Sequence, residues 1–470
     1  MRKSSRPCTF SGGFPEMPDA LPAKIGLELH IYPRTECKMF CSCSSSFLDA
    51  EPNTVVCPVC TGQPGAKPLS PNSAVIAVLL QLADVFGMER LRGPVRILRK
   101  HYFYPDLPCN YQRTSEPVAS GGSLSGCRLR EIHFEEDPGQ YDLPKGKVDF
   151  NRSGVPLIEL VTEPDIRDSR QAKSFLSDLL LVLQYLGCAR EEMPFKVDTN
   201  ISVGGRERVE VKNINSASGV VQAIEYEIER QSELIVRGEA VDRETRHFDA
   251  ISGTTVSLRF KENLEDYRYF PDPDLPPVDI SAVAFEKVPS PFGILERMTA
   301  GGAREPDART VLADRNLLRL FERVELSTDT RFASTFVARD IKGELNYRRM
   351  DSSSLPSISE GIVSIAVNYA GSRLSNQNAS LLLRKLFDGQ PIGGLLEELT
   401  SNWHSSEEIV RAAADVMREN ADAVKRYLNG NREVMNFLVG QCMKRLGGKA
   451  RPGDIANVLM KEMGRMRKPL

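Results

Sequence analysis

No stretch of this 470-residue chain is apolar for long enough to cross a bilayer. The longest runs, near Ala74–Leu80 and Leu179–Leu183, fall far short of the roughly 20 residues that a spanning helix needs, so no membrane partner is expected. Net charge is nearly absent as well. With 61 basic and 63 acidic residues the balance is −2, and any contact with nucleic acid must come from a local patch. The segment Met1–Pro22 is rich in Ser, Pro and Gly and lacks an apolar core region. It reads as a loose tail and argues against a signal peptide. Two common phosphate-binding fingerprints are missing too. Neither G-x-x-x-x-G-K-[ST] nor a strand-linked G-x-G-x-x-G occurs, so a nucleotide would not be held by a P-loop or a dinucleotide-type glycine turn. No repeat recurs at a fixed period. Only four of the ten cysteines are closely spaced, which fits metal ligation in a reducing compartment, cytoplasmic or organellar, better than a disulfide framework.

What is present is ordinary globular composition, 41% hydrophobic and 26% charged, at a length suited to about three domains. From Lys24 to about Val288 strand-like alternation mixes with Gly/Pro turns and a few helices. Ser73–Met88 and Ser169–Leu186 are the clearest helical stretches, each with its Ser as a candidate N-cap. After the Pro-rich Pro271–Val278 and the Pro289-Ser290-Pro291 segment, helical periodicity dominates. A second break falls near Ser401–Ser406, where Ser405 or Ser406 ahead of Glu407 and Glu408 looks like another N-cap. The expected fold is α+β. A mixed, cradle-like catalytic domain over 23–290 follows the tail 1–22, then a helical middle domain over 291–403 and a small helical tail domain over 404–470. Trp403 and His404 are expected to pack at the last junction.

Cys41-x-Cys43 and Cys57-Pro-Val-Cys60 form two close pairs separated by thirteen residues. Tetrahedral zinc needs four soft ligands, and each short turn supplies two of them. Four thiolates leave no open coordination position, which implies a structural zinc. A set of reduced surface thiols is the plainer alternative, but two such pairs so close together are a rare coincidence. Cys37 is a bystander, and the other five cysteines are expected to be buried small hydrophobes.

The carboxylates fall on strands. In Lys24–Tyr32, Glu28 and His30 share one face while Ile25, Leu27, Leu29 and Ile31 share the other. In Phe195–Val203 the polar face carries Asp198 and Asn200, and in Arg208–Asn213 it carries Glu210 and Lys212. Gly204-Gly205 suggests a hairpin between these two strands. A two-residue turn would set Asp198 against Val211, whereas a three-residue loop over Gly204–Arg206 pairs Asp198 with Lys212 and Asn200 with Glu210. Matching faces favour the three-residue loop. Glu159 sits among apolar neighbours in Val155–Val161, and a buried carboxylate needs a partner or a metal. His133-Phe134-Glu135-Glu136-Asp137 ends a strand at the Pro138-Gly139 turn. One polar pair on a strand is usually a solvated face, but several pairs and a buried Glu together suggest a hard-cation site holding Mg²⁺ and phosphates. The Gly/Ser-rich Ser120–Gly126 reads as an ordinary loop.

Longer motifs then give a family resemblance. G-L-E-L-H at 26–30, the four cysteines, Y-F-Y-P-D-L-P at 102–108 and I-H-F-E-E-D at 132–137 resemble the B-subunit family of glutamine-dependent aspartyl/glutamyl-tRNA amidotransferases. F-N-R-S-G-V-P-L-I-E-L-V-T-E-P-D at 150–165, V-E-V-K-N-I-N-S at 209–216 and D-Y-R-Y-F-P-D-P-D-L-P-P at 266–277 extend the resemblance over nearly the whole chain after Lys24. It implies a carbon–nitrogen ligase that uses ATP and Mg²⁺ to phosphorylate the side-chain carboxylate of misacylated Glu-tRNA(Gln) or Asp-tRNA(Asn). Ammonia from an A-type partner, the amidase, would then displace phosphate, and a small C-type partner would complete a heterotrimer. The family's catalytic site carries over to Glu28, His30, Glu136, Glu159, Asp198, Asn200, Glu210 and Lys212, with Glu28, His30, Glu136, Glu159 and Glu210 as the implied Mg²⁺ ligands. Strand parity favours Glu135 beside His133, but alignment with the family favours Glu136, which is adopted. Gln140 stands where the family usually has Lys, and Tyr111-Gln112-Arg113-Thr114 also departs from its usual stretch. An archaeal E-type relative is the neighbouring alternative, although its synthetase-like insertion is absent here. A zinc-stabilised tRNA-binding scaffold without kinase activity is the other.

From Lys444 to Leu470, eight basic residues outnumber two acidic ones, a net of +6. Lys444, Arg445, Lys449, Arg451, Lys461 and Arg465, with Arg467 and Lys468 beyond, are candidate phosphate contacts. A solvated helical face is an equally ordinary use of such a run, and the family's tRNA-binding tail domain favours the RNA reading. Val434, Phe437, Leu438 and Met443 would form that domain's core.

Overall fold

The structure, a computed structural model, describes residues 21–142, 144–258, 268–401 and 405–466. The chain divides into two compact units, Met1–Val288 and Pro289–Leu470. Trp403, His404, Arg467 and Lys468 lie outside the described residues.

The first unit is built on a large twisted sheet. Its principal strands are β1 (Ala23–Ile31), β2 (Ile97–His101), β3 (Tyr111–Ser115), β4 (Cys127–Glu136) and β5 (Pro156–Thr162). They continue with β6 (Phe195–Val203), β7 (Val209–Ile214), β8 (Glu244–Asp249), β9 (Thr254–Ser257) and β10 (Phe270–Pro271). Strand order is β9-β8-β7-β6-β1-β5-β4-β3-β2-β10. Neighbours on this path are antiparallel except β7 and β8, whose parallel pairing needs the crossover helix between them. Helices α1 (Ser73–Val85), α2 (Ser169–Leu186) and α3 (Ala217–Val236) cover the apolar face. Helix α1 packs on β4 and β5, α3 packs on β6 and β7, and α2 packs on α3. Hence Ile25, Leu27, Leu29 and Ile31 are essentially inaccessible, while Glu28 and His30 between them stay partly open.

The N-caps lie one residue before the serines expected to fill that position, and the helices begin at those serines. Asn72 accepts from the Ala74 N–H at 3.0 Å, and Asp168 accepts from the Gln171 N–H at 2.8 Å. Both Asn and Asp cap at least as well as Ser, and Ser169 instead donates its hydroxyl to Glu225. The β6–β7 hairpin has the register of a three-residue loop at Asn200↔Glu210 and Ile201↔Val209. It then shifts between Thr199↔Val211 and Val197↔Ile214. That bulge puts an extra residue opposite Asp198, so Lys212 faces Asp198 obliquely.

The second unit is helical. Helices over Arg315–Glu325, Leu355–Ala370 and Asn376–Phe387 are followed by α4 (Ser406–Glu419), α5 (Val434–Arg445) and α6 (Pro452–Met466). Ser405 and Glu408 form a reciprocal capping box at the start of α4. Val434, Leu438, Cys442, Ile455 and Leu459 are core residues of this last part, with Met443 packed against them. Phe437, expected in that core, is 49% exposed. It immediately precedes Leu438 on the helix, and only one of two adjacent residues can point fully inward.

Candidate active site and cysteine cluster

Cross-strand pairing assembles the acids on the open face of the sheet. Glu28 on β1 lies opposite Asp198 on β6, and His30 lies opposite Glu159 on β5. Glu159 in turn lies opposite His133 on β4. Directly paired residues point to the same face, so two metal-competent groups form side by side. One is His30, Glu135 and Glu159; the other is Glu28, Asp198 and Glu210, the ligand atoms within each lying within 4.8 Å of one another.

In the first group, His30 Nε2 lies 3.7 Å from Glu135 Oε1 and 3.6 Å from Glu159 Oε2. His133 Nε2 lies 3.3 Å from the same Glu159 oxygen. Burial alone would lower the His30 pKa, but the hydrogen bond to Glu159 and the charges of Glu159, Glu135 and Asp198 push it up to about 10. Burial favours a neutral Glu159, yet the two imidazoles outweigh it and hold that carboxyl well below the usual range. Glu135 is raised, first by burial and then by the charge of Glu159. In the second group, Asn200 Nδ2 donates to Glu28 Oε1 at 3.1 Å, and Thr245 Oγ1 donates to Glu210 Oε2 at 3.1 Å. Lys212 Nζ lies 3.1 Å from Glu210 and 3.8 Å from Asp198. Burial, followed by the charges of Glu159, Glu210 and Asp198, raises the Glu28 pKa. In each group one carboxylate, Glu135 or Glu28, is pushed towards its neutral form, and a divalent cation relieves that, so both donor sets fit a hard cation.

Glu136 does not join either group, which corrects the expectation taken from alignment. Glu135 and Glu136 are consecutive on β4 and must point to opposite faces. Glu135 faces His30, while Glu136 turns to Arg113, whose Nη1 lies 3.1 Å away and whose backbone N–H donates to it at 3.2 Å. Arg113 Nε also donates to Asp272 at 2.9 Å, and Arg99 pairs with Asp272 and Asp274. The reverse face of β4 therefore carries a buried ion network tying β10 to β2 and β3. Arg113 is the departure noted in Tyr111-Gln112-Arg113-Thr114, and its partner lies 159 positions away. His133 was also missed as a member of the site, although it shares the parity of Glu135.

The four cysteines converge. The Sγ atoms of Cys41, Cys43, Cys57 and Cys60 lie within 4.8 Å of one another, and Cys57 and Cys60 are 3.8 Å apart. Tetrahedral zinc with Zn–S bonds of about 2.3 Å separates its sulfurs by about 3.8 Å, so the donor set fits. Lys38 is 1% exposed and places Nζ 3.5 Å from Cys60 Sγ and 2.8 Å from the Val55 carbonyl. Without metal, the Cys41 hydrogen bond chiefly, helped by the Lys38 ammonium, pushes the Cys60 thiol down to about 4 against the opposing effect of burial. Cys60, Arg113 and Glu136 line one narrow crevice, so the cysteine loops abut the network behind β4. Cys37 stays outside the cluster, and Cys127, Cys188 and Cys442 are buried, whereas Cys109 is half-exposed.

Of the basic tail residues, Lys444, Arg451 and Lys461 are exposed and Lys449 is half-buried. Arg445 pairs with Glu419 at 2.7 Å and Asp415 at 3.4 Å, and Arg465 pairs with Glu462. No helix among the described residues is long and apolar enough to cross a membrane.

Comparison with known proteins agrees with this layout. Residues 23–286 match the GatB/GatE catalytic domain, and residues 319–463 match the GatB domain. A protein of Methanobrevibacter smithii is 39% identical over 92% of this chain and 98% of its own length. Relatives from Methanothermobacter thermautotrophicus and Methanopyrus kandleri are each 40% identical, over 91% and 93% of this chain and 97% and 98% of their own lengths. All three are named as the B subunit of aspartyl/glutamyl-tRNA(Asn/Gln) amidotransferase. The first unit carries the catalytic-domain match with its paired acidic groups, the second carries the GatB-domain match, and the chain belongs to the GatB/GatE family.

Proposed function

We propose that this chain is the B subunit of a glutamine-dependent aspartyl/glutamyl-tRNA amidotransferase, activating the side-chain carboxylate of misacylated Glu-tRNA(Gln) or Asp-tRNA(Asn) at the expense of ATP. The observation that carries the reading is the pair of acidic groups on the open face of the sheet. In the activation step a substrate carboxylate oxygen bonds to the γ-phosphorus of ATP and ADP leaves. Ammonia then bonds to the acyl carbon and inorganic phosphate leaves. Mg²⁺ bound at His30, Glu135 and Glu159 and at Glu28, Asp198 and Glu210 would offset charge on the transferring phosphoryl group. Asn200 and Thr245 fix the Glu28 and Glu210 carboxylates, and His133 holds Glu159 in its ionised form. Among the described residues the two acidic groups and their partners hold carboxylates, imidazoles and one ammonium but no serine or cysteine, so glutamine hydrolysis is assigned to a partner amidase. The assembly is completed by a small third chain. Pull-down of such partners, followed by amidation assays with Glu-tRNA(Gln) and Asp-tRNA(Asn), tests the reading. Absence of Mg²⁺-dependent ATP turnover with either misacylated tRNA would leave a tRNA-binding scaffold instead.

The cysteine cluster is proposed as a structural zinc site. One zinc per chain is expected by elemental mass spectrometry, with loss of the metal in Cys57→Ser. Structural zinc contributes on the order of 10 kcal/mol in small zinc-dependent modules. Here a large apolar core supports the rest of the unit, so metal loss is expected to raise protease sensitivity within 34–72 and not to unfold the sheet. Full zinc content in Cys57→Ser would remove that residue from the ligand set.

The basic tail is proposed to bind tRNA without taking part in chemistry. Deleting the residues after Ser405 is expected to weaken tRNA binding and to flatten its salt dependence by roughly one unit of slope per lost phosphate contact. Ammonia-dependent amidation at saturating tRNA should survive. Loss of turnover even there would give the tail a catalytic part.

A further inference from the structure

The row of open-face pairs that sets Glu28 against Asp198 continues with His30 against Lys196. Lys196 therefore stands on the open face of β6, next to the His30–Glu135–Glu159 group. It is half-buried, and its ammonium lies 5.3 Å from the centre of the Tyr32 ring. The two acids whose charge bears on it are committed elsewhere. Asp137 accepts from the Tyr32 hydroxyl at 2.7 Å and pairs with Arg152 at 3.3 Å, and Asp198 has Lys212 at 3.8 Å. Among the described residues, Lys196 makes no hydrogen bond or ion pair. Burial lowers its pKa, and the charges of Asp137 and Asp198 do not make up the difference. An ammonium desolvated without a partner is unfavourable, and an anion arriving beside it offsets that cost.

The neighbouring acids give this cation a task. A substrate carboxylate that approaches the sheet meets Glu28, Glu135, Glu159, Asp198 and Glu210, all of its own sign. The amide product has nearly the same shape and no charge, so the acids by themselves favour product over substrate. A fixed cation reverses that preference. Lys212 is held by Glu210 at 3.1 Å, whereas the Lys196 ammonium is bonded to no carboxylate. Its single charge matches one carboxylate better than a triphosphate, whose several charges call for the two cation groups.

We propose that Lys196 binds the side-chain carboxylate of the misacylated aminoacyl group, holding it beside the His30–Glu135–Glu159 group and separating the acid substrate from its amide product. This rests on the reading of the sheet as the place of carboxylate activation, and it adds the residue that recognises the carboxylate. No bond is made or broken at the Lys196 nitrogen. When ammonia has replaced the acyl phosphate, the side chain is an uncharged amide. The ammonium then no longer holds it, and product is released in preference to substrate.

The test uses the full chain in its assembled complex and compares Glu-tRNA(Gln), Gln-tRNA(Gln) and uncharged tRNA(Gln), with ATP and Mn²⁺ as separate probes. Lys196→Met keeps the stem and deletes the charge, and Lys196→Arg keeps the charge. Wild type should bind Glu-tRNA(Gln) more tightly than Gln-tRNA(Gln). Lys196→Met should weaken Glu-tRNA(Gln) roughly tenfold, the size of one charge-assisted contact, and leave the other two tRNAs unchanged. In ammonia-dependent amidation its KM for Glu-tRNA(Gln) should rise by a similar factor. Lys196→Arg should retain the preference. Mn²⁺ binding should be no weaker in Lys196→Met, since removing a nearby cation favours another cation. An unchanged preference in Lys196→Met would overturn the proposal while leaving activation itself intact. Equal weakening of all three tRNAs would make Lys196 a support of the fold, and weaker ATP binding with the preference retained would give it to a phosphate. Either result overturns the proposal. A wild-type complex without ATP-dependent activation of Glu-tRNA(Gln) would sink the reading beneath it as well.

Discussion

Glu210→Ala in the assembled complex is expected to abolish ATP-dependent activation of misacylated tRNA, and added ammonium chloride is expected not to restore it. Glu210 shares its group with Glu28 and Asp198 and lies 3.1 Å from Lys212. Removing it would delete a proposed metal ligand and release the Lys212 ammonium, whose next carboxylate is Asp198 at 3.8 Å. The ammonium would then move onto Asp198 and occupy the remaining cation position. Phosphoryl charge is left uncompensated, and losses of several orders of magnitude are expected for groups that act as a unit. Asp198→Ala should behave in the same way. Glutaminase activity of the complex should persist in both variants, because that step is assigned to the proposed partner amidase. Ammonium chloride should rescue a complex whose amidase is dead. Amidation by Glu210→Ala with ammonia supplied would place activation elsewhere.

The neighbouring glutamates 135 and 136 should separate function from stability. Glu135→Gln is expected to cost Mn²⁺ affinity and activation by orders of magnitude while leaving the metal-free fold as stable as before, or more so. The sign follows from its raised pKa: burial and Glu159 disfavour the ionised form in the folded state, so at neutral pH that charge is a destabilising element and its removal relieves the fold. Glu136→Gln should leave Mn²⁺ affinity intact and cost stability; burial raises its pKa too, so that cost comes from the guanidinium it leaves behind and not from its own ionisation. It removes one of two carboxylates from the buried Arg113 guanidinium, and breaking a buried ion pair costs about 3 kcal/mol or more. Asp272 still compensates Arg113, so the low end applies. Activity at a permissive temperature should stay within severalfold of wild type. Denaturant melts and Mn²⁺ titration of both variants check this, and the opposite pattern would restore Glu136 as the ligand.

That pair also shows where sequence reasoning reached and where it stopped. Alternation placed Glu28 and His30 on one face and favoured Glu135 over Glu136, because side-chain parity is a local property of an extended backbone. Alignment of the E-E-D motif overrode parity, and the structure sides with parity. Matching polar faces gave the Asn200↔Glu210 register, but the bulge beside Asp198 left no signal, since one extra residue changes no composition. The two cysteine turns were legible from spacing alone, while the buried Lys38 beside them was not.

By itself, then, the sequence determined which residues share a face, where the helices begin to within a residue, that four cysteines can meet, and which family the motifs resemble. Each of these is written in short-range spacing. Only the tertiary structure decided that β6, β1, β5 and β4 lie side by side in that order, which carries the acids of strands far apart in the chain into two groups. It also decided that Arg113 meets both Glu136 and Asp272. Strand order and buried pairing between distant segments depend on which apolar faces close on one another. That is settled by the packing of the whole sheet under its helices, and no local pattern encodes it.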